Sequence, residues 1–121
     1  MNIPKHNCTL EEVINFYRNS DVYRRLKSSS QKDYDNHLSA TLITEVEGKM
    51  LRAYRCKNLK VRHITQAYDK WLEIGTRTAN YRRSVLSAAW KHAMRYDVFI
   101  HNPIALVQTV TEKPRRVYWD R

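Results

Sequence analysis

Glycine and proline are scarce: two glycines and three prolines in 121 residues, with no proline between Lys5 and Asn102. A chain built from many strands and tight turns needs more of both, so this poverty points away from an all-β fold. Two cysteines, Cys8 and Cys56, are too few for a disulfide framework and read as reduced thiols. No apolar run approaches the ~18 residues of a membrane span. The start, "MNIPKHNCTLEE", lacks the apolar core of a signal peptide, so a cytoplasmic protein is expected. Catalytic signatures are missing too. There is no Gly-rich phosphate loop, no Gly-x-Ser-x-Gly elbow and no Cys-x-x-Cys pair. The five histidines are scattered, none four residues from another on a helix face, so neither a metal nor any other cofactor is expected. The paired carboxylates Glu11-Glu12 and Asp33/Asp35 sit at predicted helix starts, where negative charge favours the macrodipole.

What the chain does have is positive charge. Lysine and arginine number 22 against 12 acidic residues, a formal net of +10. The excess is uneven. Residues 1–48 carry a net of −1, and residues 49–121 carry +11. A surplus so concentrated favours a polyanionic partner. With 42% apolar residues, the chain can still bury the core of one domain.

Apolar spacing is helical throughout, and an all-α domain is expected. Thr9 and Glu12 have capping-box spacing before a helix that buries Leu10, Val13, Ile14 and Tyr17, fading near Asn19-Ser20. "DVYRRLK" reads as a short helical or turn segment packing Val22, Tyr23 and Leu26 inward. Ser28–Ser30 offer cap hydroxyls to a second long helix with Tyr34, Leu38, Leu42 and Val46 on its buried side. Residues 47–63 are ambiguous among continued helix, irregular connection and short hairpin. In the next helix Thr65 caps, Tyr68, Trp71 and Leu72 face inward, and Gly75 supplies a left-handed C-terminal residue. A fourth long segment, capped by Thr76 or Thr78, runs to about Tyr96. Asn102 and Pro103 then open a short fifth helix over Ile104, Leu106 and Val107. Trp71 and Trp90 belong to the core. The organisation expected is an N-terminal extension (1–8), a helical domain (9–110) and a linker (111–121).

Three segments carry the chemistry of phosphate recognition. "SSSQK" places Ser29, Ser30, Gln31 and Lys32 at a helix N-terminus, where free backbone N–H groups favour anions. "TRTANYRR" concentrates Arg77, Thr78, Asn80, Tyr81, Arg82 and Arg83 in the first turns of a helix. Arginine, asparagine and threonine are the side chains that a groove-entering helix uses on bases and phosphates. Three arginines there oppose the positive end of the helix dipole, by a few tenths of a kcal/mol each, which a docked anion would reverse. "KPRR" adds Lys113, Arg115 and Arg116, able to neutralise phosphates along a backbone.

The order "SSSQKDYDNHL", "LKVRHIT", "TANYRRSVLSAAWKHAMRYDVFIHNPIALV" and "EKPRRVYW" resembles the core-binding domain of phage integrases, of the tyrosine recombinase family. The resemblance covers about residues 9 to 118 and is strongest over 76–107; residues 45–58 depart from it. It implies a compact four-to-five-helix bundle of the SAM-like type, whose second and fourth helices face the DNA major groove. It also implies partners: double-stranded DNA at a recombination core site, a catalytic domain of the same parent chain, and other integrase protomers. The family's catalytic domain supplies an Arg, a Lys, a His-x-x-Arg and a nucleophilic Tyr. Here His92 and Arg95 have the His-x-x-Arg spacing, but they fall inside the fourth predicted helix, in the wrong domain. The chain is therefore expected to bind DNA and cut nothing, with chemistry beyond Arg121. Two other classes stay open: a stand-alone helical DNA-binding regulator, and a helical module for an acidic protein.

Overall fold

The computed structural model describes residues 3–5 and 7–110. Five α-helices dominate: α1 (Leu10–Arg18), α2 (Asp21–Arg24), α3 (Ser28–Leu42), α4 (Val61–Leu72) and α5 (Thr76–Met94). Between α3 and α4 lie a two-stranded hairpin, β1 (Glu45–Val46) and β2 (Lys49–Met50), and two single 3-10 turns, Leu51–Ala53 and Cys56–Asn58. A third 3-10 turn spans Pro103–Leu106. The chain is mainly helical; the all-α expectation holds except for the small hairpin, which falls in the stretch that the sequence left ambiguous.

α1 begins where its capping box dictates. The Thr9 N–H donates to Glu12 Oε1 (2.9 Å), and the Glu12 N–H donates to Thr9 Oγ1 (3.3 Å). Leu10, Val13, Ile14 and Tyr17 are all buried, as their spacing requires. α5 is the central element, packed against α1, α3 and α4. Ala79, Ala89 and Ala93 let neighbours approach closely, while Val85, Leu86 and Trp90 fill the space between. Trp71 and Trp90 are each only 2% exposed, which settles both as core residues.

Several local expectations are corrected. Ser28–Ser30 do not cap α3; the helix starts at Ser28, and Lys27 holds the cap position without a side-chain bond. Val22 is exposed, while Tyr23 packs inward and Leu26 is half-buried. Val46 is buried from the hairpin rather than from α3. Thr65 lies inside α4, which starts four residues earlier because His63 Nδ1 accepts the Lys60 N–H at 2.9 Å. Gly75 is extended (φ 161°) and forms the N-cap of α5, not a left-handed end to α4. Neither Thr76 nor Thr78 caps α5; both lie within it. α5 ends at Met94, with Asp97 in the left-handed region (φ 61°). The fifth helix is a 3-10 turn, but its start is as expected: Asn102 Oδ1 accepts the N–H groups of Ile104 (3.0 Å) and Ala105 (3.3 Å). Leu106 is exposed, whereas Ile104 and Val107 are buried.

The ambiguous stretch contains the hairpin. Glu47 (φ 53°) and Gly48 (φ 82°) both have positive φ, as a two-residue primed turn requires, and Val46 pairs with Lys49 across it. Tertiary bonds hold Glu47 in this costly conformation. Its carboxylate accepts from Arg62 Nε (3.1 Å) and Gln66 Nε2 (2.8 Å), and these bonds hold its carboxyl below the usual range. Tyr54 Oη donates to the Val46 carbonyl (2.6 Å), and Trp71 Nε1 donates to Thr44 Oγ1 (3.0 Å). The N-terminal segment is fastened similarly. The Cys56 N–H donates to the Cys8 carbonyl (2.8 Å), and both thiols are buried and free. Cys8 thus belongs to the core, one residue before the expected domain boundary. The contact with Cys8, and then burial, push the Cys56 thiol up.

Candidate nucleic-acid interface

α3 and α5 lie side by side, with Tyr34 and His37 in the middle of α3 set against Tyr81 and Arg82 of α5. The contact is specific. The Tyr81 ring meets His37 edge-on at 4.8 Å and Tyr34 at 6.1 Å. Arg82 Nε donates to His37 Nδ1 at 3.3 Å. That bond needs an unprotonated Nδ1, in keeping with burial and then Arg82 holding His37 below its usual pKa.

Adjacency does not make every side chain available. On α3, Ser29 and Lys32 are exposed and Ser30 is half-buried. Gln31 is committed: its Nε2 donates to the carbonyls of Arg24 (3.1 Å) and Leu26 (2.8 Å), closing the end of α2, while its own carbonyl accepts from Tyr23 Oη (2.7 Å). On α5, Arg77 is exposed and Thr78 half-buried. Asn80 is committed as well. Its Oδ1 accepts from Tyr68 Oη, and its Nδ2 donates to the Val110 carbonyl (2.9 Å), whose own N–H donates back to Tyr68 Oη (2.8 Å). This ring fastens the end of the described chain to α4 and α5. Arg82 lies over the Trp71 ring (5.4 Å to the centroid), and desolvation lowers its pKa, though a guanidinium remains charged. Arg83 is half-buried, and its Nε has no hydrogen-bond partner among the described residues. Lys113, Arg115 and Arg116 lie outside the described residues.

Sequence reasoning missed the far half of the same helix. Arg77, Tyr81, Ser84, Ala88, Lys91 and Arg95 recur at alternating intervals of four and three, which puts them on one stripe. All but Ala88, which is half-buried, are exposed. The stripe runs roughly 27 Å along the helix axis. Arg77, Lys91 and Arg95 form no ion pair among the described residues, unlike Arg18 with Asp35 (2.9 Å) or Arg62 with Glu47 (3.1 Å). The four-three spacing was in the sequence, but the interleaved apolar residues Leu86, Ala89, Trp90 and Ala93 read as a core face and mask it.

Acidic groups limit the surface. Asp35 is neutralised by Arg18, but Asp33 is exposed on α3. Burial, then Tyr34 and Asp33, push the Tyr81 hydroxyl up. A phosphate backbone would therefore favour the α5 side of this face. Among the described residues no three of His, Cys, Asp and Glu gather to hold a metal ion, and no helix is long and apolar enough to cross a membrane. Comparison with protein-family models, curated proteins and solved structures finds no match.

Proposed function

We propose that this chain binds duplex DNA as the SAM-like core-binding domain of a phage-type integrase, with strand cleavage left to a separate catalytic domain of the parent protein. The observation that carries the proposal is the basic stripe on α5, unpaired among the described residues, on the helix that α3 packs against. Arg77, Lys91 and Arg95 on α5, with Lys32 and Ser29 on α3, supply the phosphate contacts. Arg82 and Arg83 add positive potential from partly buried positions. Gln31 and Asn80 hold the scaffold, so the order and motif resemblance is retained while their roles shift inward.

Each neutralised phosphate releases condensed counterions, so binding weakens steeply with salt. One such face gives modest affinity. Tethering to a second DNA-binding domain raises the effective concentration, so two weak halves close as a clamp around a core site, with neighbouring protomers on the same DNA. Anisotropy of a labelled duplex, titrated with the chain at low and moderate salt, tests the proposal. Saturable binding that falls by an order of magnitude or more between roughly 50 and 200 mM salt is expected. Absence of binding at the lower salt would overturn it.

A further inference from the structure

Between the end of α1, the residues of α2 and the second half of α5 lies a cleft of about 340 Å³. Its polar lining comprises the cations Arg83, Lys91 and Arg95, the hydroxyl residues Tyr17, Ser84 and Ser87, and His92, with no carboxylate among the described residues. Arg83, Lys91 and Arg95 therefore gather at one cleft with no carboxylate among its described lining, a local surplus of positive charge.

Two further observations concern buried polar atoms of its lining residues. His92 is 3% exposed, yet neither of its ring nitrogens has a hydrogen-bond partner among the described residues. Its neighbours are the rings of Phe16 (5.1 Å), Tyr17 (5.7 Å) and Tyr96 (5.2 Å), all tilted against it. Arg83 Nε is likewise buried and unpartnered. Buried polar groups are nearly always satisfied, and these two, in residues that line this cleft, have no partner among the described residues, His92 also lining the cavity beside α1. Ser87 Oγ accepts from Asn102 Nδ2 (3.3 Å), which leaves its own O–H free to donate.

We propose that this cleft binds a single phosphate-class oxyanion, held by Arg83, Lys91 and Arg95 with the hydroxyls of Ser84 and Ser87, and with His92 at its floor. A tetrahedral anion with several acceptor oxygens meets guanidinium forks, an ammonium and hydroxyls at once. The site goes beyond the DNA proposal and stands without it, because free phosphate and a backbone phosphodiester share this chemistry.

The test is a titration of the whole chain with inorganic phosphate, followed by amide and imidazole NMR shifts at constant ionic strength, with chloride as the control anion. Saturable shifts at Ser84, Ser87, Lys91 and the His92 ring are expected, absent with chloride. Lys91→Ala/Arg95→Ala alters exposed side chains, so the fold should survive, and phosphate affinity should fall about tenfold or more. Lys57→Ala, an exposed residue outside the cleft, should leave it unchanged. Shifts that never saturate, that chloride reproduces, or that the double variant retains would overturn the site. A second arm names the source. Displacement of phosphate by a short duplex assigns the cleft to a backbone phosphate; undisturbed phosphate in the presence of duplex assigns it to a free phosphate-bearing ligand.

Discussion

The two halves of α5 trade the characters that their sequences suggest. The front, Thr76–Ser84, holds the residue types of a DNA-reading helix, yet Asn80 and Arg82 spend their polar groups on Tyr68, Val110, His37 and Trp71. The back, Val85–Met94, looks like a core anchor, yet it leaves Lys91 exposed, with Arg95 just beyond. Helix geometry explains the exchange. A central helix packed on three sides has one open stripe, and whatever occupies it is offered to solvent along the full length. Availability follows from the stripe, and residue chemistry only decides what the stripe can hold.

The sharpest way to break this contrast is a core truncation in the back half. Leu86→Ala should cost about 2–5 kcal/mol by removing a fully buried side chain, read as a lower denaturation midpoint. In the front half, Asn80→Ala should cost about 1–3 kcal/mol, since it removes the acceptor of the buried Tyr68 hydroxyl and the bond to the exposed Val110 carbonyl. Its duplex affinity at a temperature where it stays folded should match that of the unaltered chain. A loss of DNA binding without a loss of stability would return Asn80 to the interface. Thr9→Ala, away from α5, should cost about 1 kcal/mol through the lost cap, with DNA binding unaffected.

The histidines give a smaller, pH-dependent effect. Burial holds both His37 and His92 below the ordinary histidine pKa, with Arg82 adding to the first and Arg95 to the second. The unfolded chain then takes up protons first as pH falls, so stability should decline as pH drops through about 6.5 and level off below the folded-state values. Thermal melts between neutral and mildly acidic pH check this. His37→Gln should flatten the decline, and a slope of opposite sign would contradict the assigned burial.

How much was legible in advance follows the range of each interaction. The Thr9–Glu12 box, the Leu10-Val13-Ile14-Tyr17 face, the buried tryptophans and the Asn102-Pro103 turn are local patterns, and the structure bears them out. The hairpin was not legible as such. Its Glu-Gly turn is a weak local signal, and what holds it is Glu47 reaching Arg62 and Gln66 across to α4. Gly75 misled because its spacing suits either a left-handed end or an extended start, and the tight connection between α4 and α5 selects the start. The fate of the interface residues was least legible. Gln31, Asn80 and Arg82 each answer to partners 5 to 45 residues away, and nothing local announces them.

The salt dependence of duplex binding tests the central claim most directly. The logarithm of the association constant, plotted against the logarithm of salt concentration, should fall steeply for the unaltered chain. Removing Arg77 and Lys91 together should make the slope shallower by about two units, one phosphate contact for each. An unchanged slope in Arg77→Ala/Lys91→Ala, with the fold intact, would contradict the account.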